Sequence, residues 1–144
     1  MKKYNHKSTR SKNILLFGII LLFPFLISCF SGQNNSNLDV LPLDITVEQA
    51  FQERENGALI LDVRTESEWE EVHIPGSTRI LLDDLPNRLN EVPEDTRIVV
   101  VCRSGNRSQI GRDTLLNAGF EEVTSMIGGV SQWRDLGYPV ESGP

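Results

Sequence analysis

The sequence has few of the residues that bind metal ions or build disulfide frameworks. Its 144 residues include only two cysteines and two histidines, which are Cys29, Cys102, His6 and His73. Two cysteines cannot form a disulfide framework or supply a four-thiolate zinc site. We therefore expect no bound metal. We also expect no cofactor.

Lysine is absent from the chain after Lys12, and acidic residues are absent before Asp39. The formal net charge of −6 hides this asymmetry, because the first 29 residues carry five basic residues and no acid. The rest of the chain has nine arginines against twenty acidic residues, which leaves about −11. Nucleic acids are bound by basic stripes, so this acidic body argues against a nucleic-acid partner.

The start of the chain has the pattern of a secretory signal. Basic residues precede an uncharged apolar run, Ile14 to Ile27, which Pro24 interrupts and which is shorter than a spanning helix requires. Leu26-Ile27-Ser28-Cys29 then resembles a bacterial lipobox. The resemblance implies a lipoprotein signal peptide over residues 1–28, a lipidated Cys29 and a polar tether over 29–43. An uncleaved anchor and an ordinary signal peptide are the alternatives.

This pattern predicts an extracytoplasmic protein that is lipid-anchored to a bacterial membrane.

Beyond the tether, short apolar runs alternate with helical patterns. Capping boxes at Thr46 and Gln49 and at Ser67 and Glu70 predict two helix starts. Strands are predicted over 58–63, 78–80, 97–101 and 123–127, and further helices over 85–91, 108–118 and 130–136. The pattern indicates an α/β fold with a small open parallel sheet of about five strands, flanked by helices on both faces.

The clearest predicted strand, 97–101, leads directly into Cys102-Arg103-Ser104-Gly105-Asn106-Arg107-Ser108, which we call the Cys102 loop. Ligands of open parallel sheets bind beyond the carboxyl ends of the strands, where this loop is expected. A tight loop before a helix directs backbone N–H groups inward at the positive end of the helix dipole. Gly105 can supply the left-handed conformation of such a turn. The loop is therefore a candidate anion site.

Arg103 and Arg107 add two permanent positive charges near the Cys102 thiol. Neighbouring cations and a helix N-terminus favour the thiolate, which is the nucleophilic form of cysteine. The pattern therefore predicts a sulfur nucleophile beside a pocket for a small oxyanion. The alternative is an inert cysteine at the end of a buried strand, which would leave the two arginines unexplained.

Four ordered segments resemble the signatures of single-domain rhodaneses, which are sulfurtransferases. The segments are Leu61-Asp62-Val63-Arg64 with Glu68-Trp69 and His73-Ile74-Pro75-Gly76, the Cys102 loop, Gly119-Phe120 with Val123, and Gly128-Gly129 with Trp133 and Gly137-Tyr138-Pro139-Val140. Together they imply a rhodanese-like domain over residues 44–144. Mild departures from the family pattern occur at Val72, Ser77 and Leu81, where Gly, Ala and Pro are usual.

The resemblance implies that Cys102 is catalytic. Its thiolate would take a sulfane sulfur from thiosulfate or a persulfide donor and pass it to a thiol or cyanide in a two-step cycle. Arg107 would bind the oxyanion end of the donor, and Arg103 would steer anions from the rim. The implied substrate-binding residues are Arg103, Ser104, Gly105, Asn106, Arg107 and Ser108. We expect a monomer.

Asp62 and Arg64 follow another predicted strand and are interpreted as a layer behind the site. Asp62 would pair with an arginine or a backbone N–H and hold the geometry of the Cys102 loop. The alternative is an ion pair that only stabilises the fold. We expect Trp69 and Trp133 to pack, and His73 to cap or pack a turn.

Two other functions fit parts of the pattern. Cysteine-based phosphatases and arsenate reductases also hold a thiolate in an anion-binding loop. Those phosphatases have one more residue between Cys and Arg than the four that separate Cys102 from Arg107, so this loop is predicted to be too small for a phosphoryl group. The other alternative is a non-catalytic rhodanese-like module that binds a partner or senses oxidants or persulfides through Cys102.

Overall fold

The computed structural model describes residues 41–144. The predicted signal peptide, Cys29 and nearly all of the predicted tether lie outside the described residues. The described part contains one five-stranded sheet in the order β1-β5-β4-β2-β3, and every pairing is parallel. The strands are β1 (Asp44–Ile45), β2 (Leu59–Asp62), β3 (Thr78–Arg79), β4 (Ile98–Val101) and β5 (Val123–Met126). The predicted fold class is confirmed.

Helices cover both faces of the sheet. They are α1 (Val47–Glu55), α2 (Glu66–Glu71), α3 (Asn106–Asn117) and α4 (Gly129–Asp135), with two short 3₁₀ turns at Leu85–Asn87 and Leu89–Glu91. Residues from α3 and the first 3₁₀ turn pack in one apolar cluster, and residues from α1 and α4 pack in the other. No helix within residues 41–144 is long and apolar enough to cross a membrane.

The central strand β4 is buried on both of its faces. All four of its residues are at most 1% exposed. Ile98 and Val100 join the cluster beneath α3, whereas Val99 and Val101 join the cluster beneath α1 and α4, because side chains alternate along a strand. This burial explains the uninterrupted apolar sequence of β4. It also places Cys102, the next residue, at the carboxyl edge of the sheet.

Helix α3 lies unusually close to the sheet at Gly111. A Cβ atom at this position would lie 3.0 Å from Val100 Cγ1 and 3.2 Å from Val63 Cγ1. The missing side chain therefore allows the helix backbone to approach β4. The close contact fixes the helix that follows the Cys102 loop.

The chain joins the sheet before the predicted domain start at residue 44. The carbonyl of Pro42 accepts a 2.6 Å hydrogen bond from Thr124 Oγ1, and the carbonyl of Leu43 accepts a 2.9 Å bond from the Ser125 amide. The two-residue strand β1 follows and is further held by an ion pair between Asp44 and Arg112 at 2.6 Å. A strand this short leaves no periodic pattern, and the sequence did not predict it.

Two predicted helix starts differ from the structure. The capping box of α2 is formed by Thr65 and Glu68 rather than Ser67 and Glu70. Helix α3 begins at Asn106, two residues earlier than predicted, because Gly105 adopts a φ of 105° and serves as its N-cap.

The predicted helix over 85–91 is instead the pair of 3₁₀ turns, in which Pro86 occupies an early position and lacks an N–H donor. Val72, where related sequences usually have Gly, has an extended backbone with φ −164°, which any residue can adopt.

Candidate active site

Cys102 lies at the point where β4 ends, and it is only 1% exposed. Its Sγ accepts a hydrogen bond from the Gly105 amide at 3.1 Å. The Ser108 hydroxyl lies 3.7 Å from Sγ and donates a 2.7 Å hydrogen bond to the Gly105 carbonyl. The Cys102 loop therefore folds back over the sulfur, and at least one backbone donor already points at it.

The amino end of α3 also faces this loop. The helix has 12 residues, and no side chain caps its first amides. The first amides of an α-helix have no partner within the helix and carry partial positive charge. These donors extend the positive environment around the sulfur.

The first residues of α4 orient the peptide groups of the loop. The Val130 amide donates to the Cys102 carbonyl at 2.8 Å, and the Ser131 amide donates to the Arg103 carbonyl at 3.1 Å. The C=O and N–H of a trans peptide point in opposite directions. The amides of Arg103 and Ser104 therefore point away from α4, and within residues 41–144 they have no hydrogen-bond acceptor. They are open donors at the start of the loop.

This contact between α4 and the loop requires glycine. A Cβ atom on Gly129, whose φ is 62°, would lie 2.4 Å from the Cys102 carbonyl oxygen and 2.5 Å from the Arg103 carbonyl carbon. A Cβ atom on Gly105 would lie 3.1 Å from the Gly128 amide nitrogen. Gly129 therefore permits the two carbonyls to reach the helix amides, and Gly105 permits the loop to approach the start of α4.

Arg107 is held by a carboxylate on a neighbouring helix. Its Nη1 and Nη2 atoms donate to the two carboxylate oxygens of Glu68 at 2.8 Å and 2.6 Å. This bidentate hydrogen bonding is the main reason that the pKa of Glu68 falls from 4.5 to about 2. The pKa of Arg107 is raised, chiefly by the same carboxylate. The two side chains form a neutral pair beside the Cys102 loop.

Asp62 and Arg64 form a buried ion pair behind this arrangement. Arg64 Nη2 lies 2.6 Å from the Asp62 carboxylate, and the Arg64 backbone amide also donates to Asp62 at 3.0 Å. Arg64 Nη1 and Nη2 donate to the carbonyls of Glu68 and Val72 at 3.1 Å and 2.8 Å. The pair therefore anchors α2 to the end of β2, and α2 carries Glu68.

Arg103 differs from every other arginine in the described part of the chain. The other eight lie within 4.0 Å of a carboxylate, whereas Arg103 has no such partner among residues 41–144. Its side chain is exposed, as are those of Ser104 and Asn106. A small cleft beside the loop is lined by Arg103, Glu68, Ser131 and Arg134, among others.

Trp69, His73 and Trp133 have packing contacts and hydrogen bonds with other parts of the fold. Trp69 stacks on His73 with ring centroids 3.6 Å apart, and the Trp69 indole N–H donates to the Ser77 hydroxyl at 3.2 Å. Trp133 is fully buried and donates to the Pro139 carbonyl at 2.8 Å. The packing roles predicted for Trp69, Trp133 and His73 agree with these contacts.

Comparison with known proteins decides the family. The family model described as a rhodanese-like domain matches residues 46–136, which is more than half of the chain. The chain belongs to the rhodanese-like family.

Relatives and solved structures agree with this assignment. Thiosulfate sulfurtransferase GlpE of Pseudomonas syringae is 39% identical over 98 residues, which cover 68% of this chain and 92% of GlpE. YrkF of Bacillus subtilis is 33% identical over 106 residues, which cover 72% of this chain but only 55% of YrkF, about half its length. A crystal structure of a rhodanese-related protein from Thermoplasma volcanium is 26% identical, with a TM-score of 0.65 over 69% of this chain and 98% of that one.

Sequence reasoning missed the roles of two residues in this rhodanese-like domain. Glu68 appeared only as part of a resemblance, and its pairing with Arg107 joins residues that are 39 positions apart. Gly129 likewise had no assigned role, although Gly128-Gly129 before a helix is an uncommon pattern that indicates close backbone contact. The capping box from Thr65 to Glu68 was the one local signal that could have drawn attention to Glu68.

We predict that Gly129→Ala disturbs the Cys102 loop. The added Cβ cannot fit beside the Cys102 carbonyl, so the loop amides must turn and weaken the hydrogen bonding to Sγ. We expect alkylation of Cys102 by iodoacetamide at neutral pH to slow about tenfold, which corresponds to the loss of roughly one hydrogen bond to a charged group.

Gly137→Ala is the matched control, because Gly137 also has a positive φ, 80°, but no atom would lie within 4 Å of its Cβ. This variant should lose about 1 to 2 kcal/mol of stability through backbone strain alone and keep the wild-type alkylation rate. Equal alkylation rates for Gly129→Ala and wild type would contradict the role of α4 in orienting the loop.

We also predict an acid-sensitive contribution of Glu68 to stability. The pKa of Glu68 is about 2 in the folded protein and near 4.5 ordinarily, so its stabilising effect is complete above pH 4.5 and is lost as the pH falls toward 2. Glu68→Gln should therefore be less stable than wild type by about 1 kcal/mol at pH 7, since solvent screens the pair.

Urea unfolding at several pH values between 7 and 2.5 measures this difference, which should shrink as the pH falls. Glu66→Gln on the same helix is the control, because Glu66 is 71% exposed and lies 3.4 Å from Arg79. A difference between Glu68→Gln and wild type that persists at pH 2.5 would refute the ion-pair explanation.

Proposed function

We propose that this rhodanese-like domain is a sulfurtransferase that carries a sulfane sulfur on Cys102. The observation that carries the proposal is the Cys102 sulfur at the end of β4, which accepts the Gly105 N–H at 3.1 Å inside a loop with further open amides. Similarity to proteins named thiosulfate sulfurtransferase, at 36% to 39% identity, supports this reaction class. Such a reaction requires a sulfur donor and a sulfur acceptor as partners.

In the first step, the Cys102 thiolate attacks the terminal sulfur of a donor such as thiosulfate. An S–S bond to Cys102 forms, the bond between the sulfane sulfur and the sulfonate breaks, and sulfite leaves with the electron pair. The enzyme is then a Cys102 persulfide anion. In the second step, a thiolate or cyanide attacks the outer sulfur and regenerates the Cys102 thiolate.

The geometry of the Cys102 loop suits the persulfide better than a neutral thiol. The Gly105 amide and the open amides of Arg103 and Ser104 supply donors for the anionic outer sulfur. Donors fixed in place by the fold stabilise developing charge without reorganisation, which is the main source of electrostatic catalysis. The burial of Cys102 restricts access to slender donors and acceptors. We propose small-molecule donors and acceptors for this site, and we expect the protein to be a monomer.

We predict that the purified domain gains one sulfur atom when it is incubated with thiosulfate. Intact-mass spectrometry should show this gain on the wild type, its loss after cyanide is added, and thiocyanate release in the same reaction. Cys102→Ser should show no gain, because it removes the nucleophile. Gln109→Ala is a control with an exposed side chain beyond the Cys102 loop, and it should behave like wild type.

Absence of any added sulfur with thiosulfate and with glutathione persulfide would reject sulfur transfer and favour a binding or oxidant-sensing module. Release of phosphate from p-nitrophenyl phosphate that Cys102→Ser abolishes would instead indicate a phosphatase.

We also propose that a lipid on Cys29, which lies outside the described residues, anchors the protein to a membrane. The lipobox-like Leu26-Ile27-Ser28-Cys29 supports lipidation of Cys29 after removal of residues 1–28, with an extracytoplasmic domain on the tether. We expect the full chain, expressed in a bacterium, to partition into the membrane fraction and to incorporate labelled palmitate.

Cys29→Ala should abolish the label and shift the protein to the soluble fraction or leave an unprocessed precursor. Ser31→Ala, two residues away, is the control and should keep the label. Labelling that survives in Cys29→Ala would disprove lipidation at this residue.

A further inference from the structure

Arg107, the second arginine of the Cys102 loop, is already paired with a carboxylate of the protein. Both terminal nitrogens of Arg107 bind the Glu68 carboxylate, at 2.8 Å and 2.6 Å. The Glu68 side chain is only 18% exposed, and that of Arg107 is 35% exposed. The positive charge that the sequence assigned to the oxyanion of a donor is therefore already neutralised by the protein.

Glu68 is fixed in this position by contacts besides Arg107. Its carboxylate accepts hydrogen bonds from the Thr65 amide at 3.2 Å and the Thr65 hydroxyl at 3.0 Å. Its backbone carbonyl accepts a hydrogen bond from the buried Arg64. Rotation of the carboxylate away from Arg107 would break the capping box of α2, so the pairing is built into the fold.

Arg103 is left as the free cation of the loop. It has no carboxylate partner among residues 41–144, and it lines the cleft beside the loop together with Glu68. Arg107 does not line that cleft. An anion that enters the cleft therefore meets one unpaired positive charge, on Arg103, and two carboxylates, those of Glu68 and Glu71.

From these contacts we propose that Glu68 determines donor specificity, because it withdraws Arg107 from the substrate and so favours singly charged sulfane donors over doubly charged ones. The inference rests on the proposed sulfur transfer. It assigns the anionic end of the donor to Arg103 rather than to Arg107. A second negative charge on a donor is attracted by Arg103, but it finds no second free cation because Glu68 neutralises Arg107, and the nearby Glu71 repels it.

Two sulfur donors that react in the same way but differ in charge separate the effect of Glu68 on donor preference from sulfur transfer itself. Thiosulfate is a dianion, and methanethiosulfonate is a monoanion with the same terminal sulfane sulfur. In both cases the Cys102 thiolate forms an S–S bond to that sulfur, and the bond to the oxidised sulfur breaks. The leaving group that takes the electron pair is sulfite in one case and methanesulfinate in the other.

The experiment compares kcat/KM for the two donors, with cyanide as the acceptor, in wild type and variants of the domain. We expect Glu68→Gln to raise the ratio of thiosulfate to methanethiosulfonate kcat/KM about three- to tenfold, because a freed Arg107 attracts the second charge. Added salt should diminish the change. Glu66→Gln, on the same helix but paired with Arg79, should leave the ratio unchanged.

Two further variants keep the test decisive if Glu68→Gln folds poorly. Arg103→Gln, at an exposed position, should lower the ratio by a similar factor. The double variant Glu68→Gln with Arg107→Gln restores the net charge of the wild type and should return the ratio close to the wild-type value.

An unchanged ratio in both Glu68→Gln and Arg103→Gln, with wild-type turnover of both donors, would overturn the role of Glu68 and leave sulfur transfer standing. Failure of the wild type to use either donor would overturn the proposed function and this inference together.

Discussion

The hydrogen bonds from Val130 and Ser131 to the carbonyls of Cys102 and Arg103 set the direction of the first peptide groups in the Cys102 loop. Because those carbonyls point at α4, the opposite N–H groups point away from it and stay free for a ligand. The contact depends on Gly129, since any side chain there would occupy the space of the carbonyls. The packing of α4 against the Cys102 loop thus determines where the N–H donors of the loop point.

Charge around the loop is arranged in layers. The buried Asp62–Arg64 pair binds the carbonyls of α2, α2 presents Glu68, and Glu68 binds Arg107. A buried ion pair contributes little net stability compared with apolar residues of similar size, but it fixes geometry when its remaining donors are satisfied. Here the remaining Arg64 donors are the ones that hold the helix. The only unpaired arginine of residues 41–144, Arg103, lies at the mouth of the loop.

Sequence reasoning located the sheet and the nucleophile because both leave local signals. The continuous apolar run of β4 reflects burial on two faces, and the cysteine, glycine and arginines that follow it reflect an anion-binding turn. The pairing of Glu68 with Arg107 could not be predicted from the sequence, because that contact depends on how α2 and α3 pack. Strand β1 was too short for a pattern, and the capping box of α2 was predicted two residues late, at Ser67 and Glu70, because Thr65 and Glu68 have the same spacing.

A crystal structure of the domain after treatment with thiosulfate tests the account most directly, because it shows where the added sulfur lies. The account predicts continuous density for one extra sulfur on Cys102, within hydrogen-bonding distance of the amides of Arg103, Ser104 or Gly105. The α4 hydrogen bonds to the carbonyls of Cys102 and Arg103 should remain intact. An added sulfur that points away from the loop amides, or density for an unmodified thiol, would contradict it.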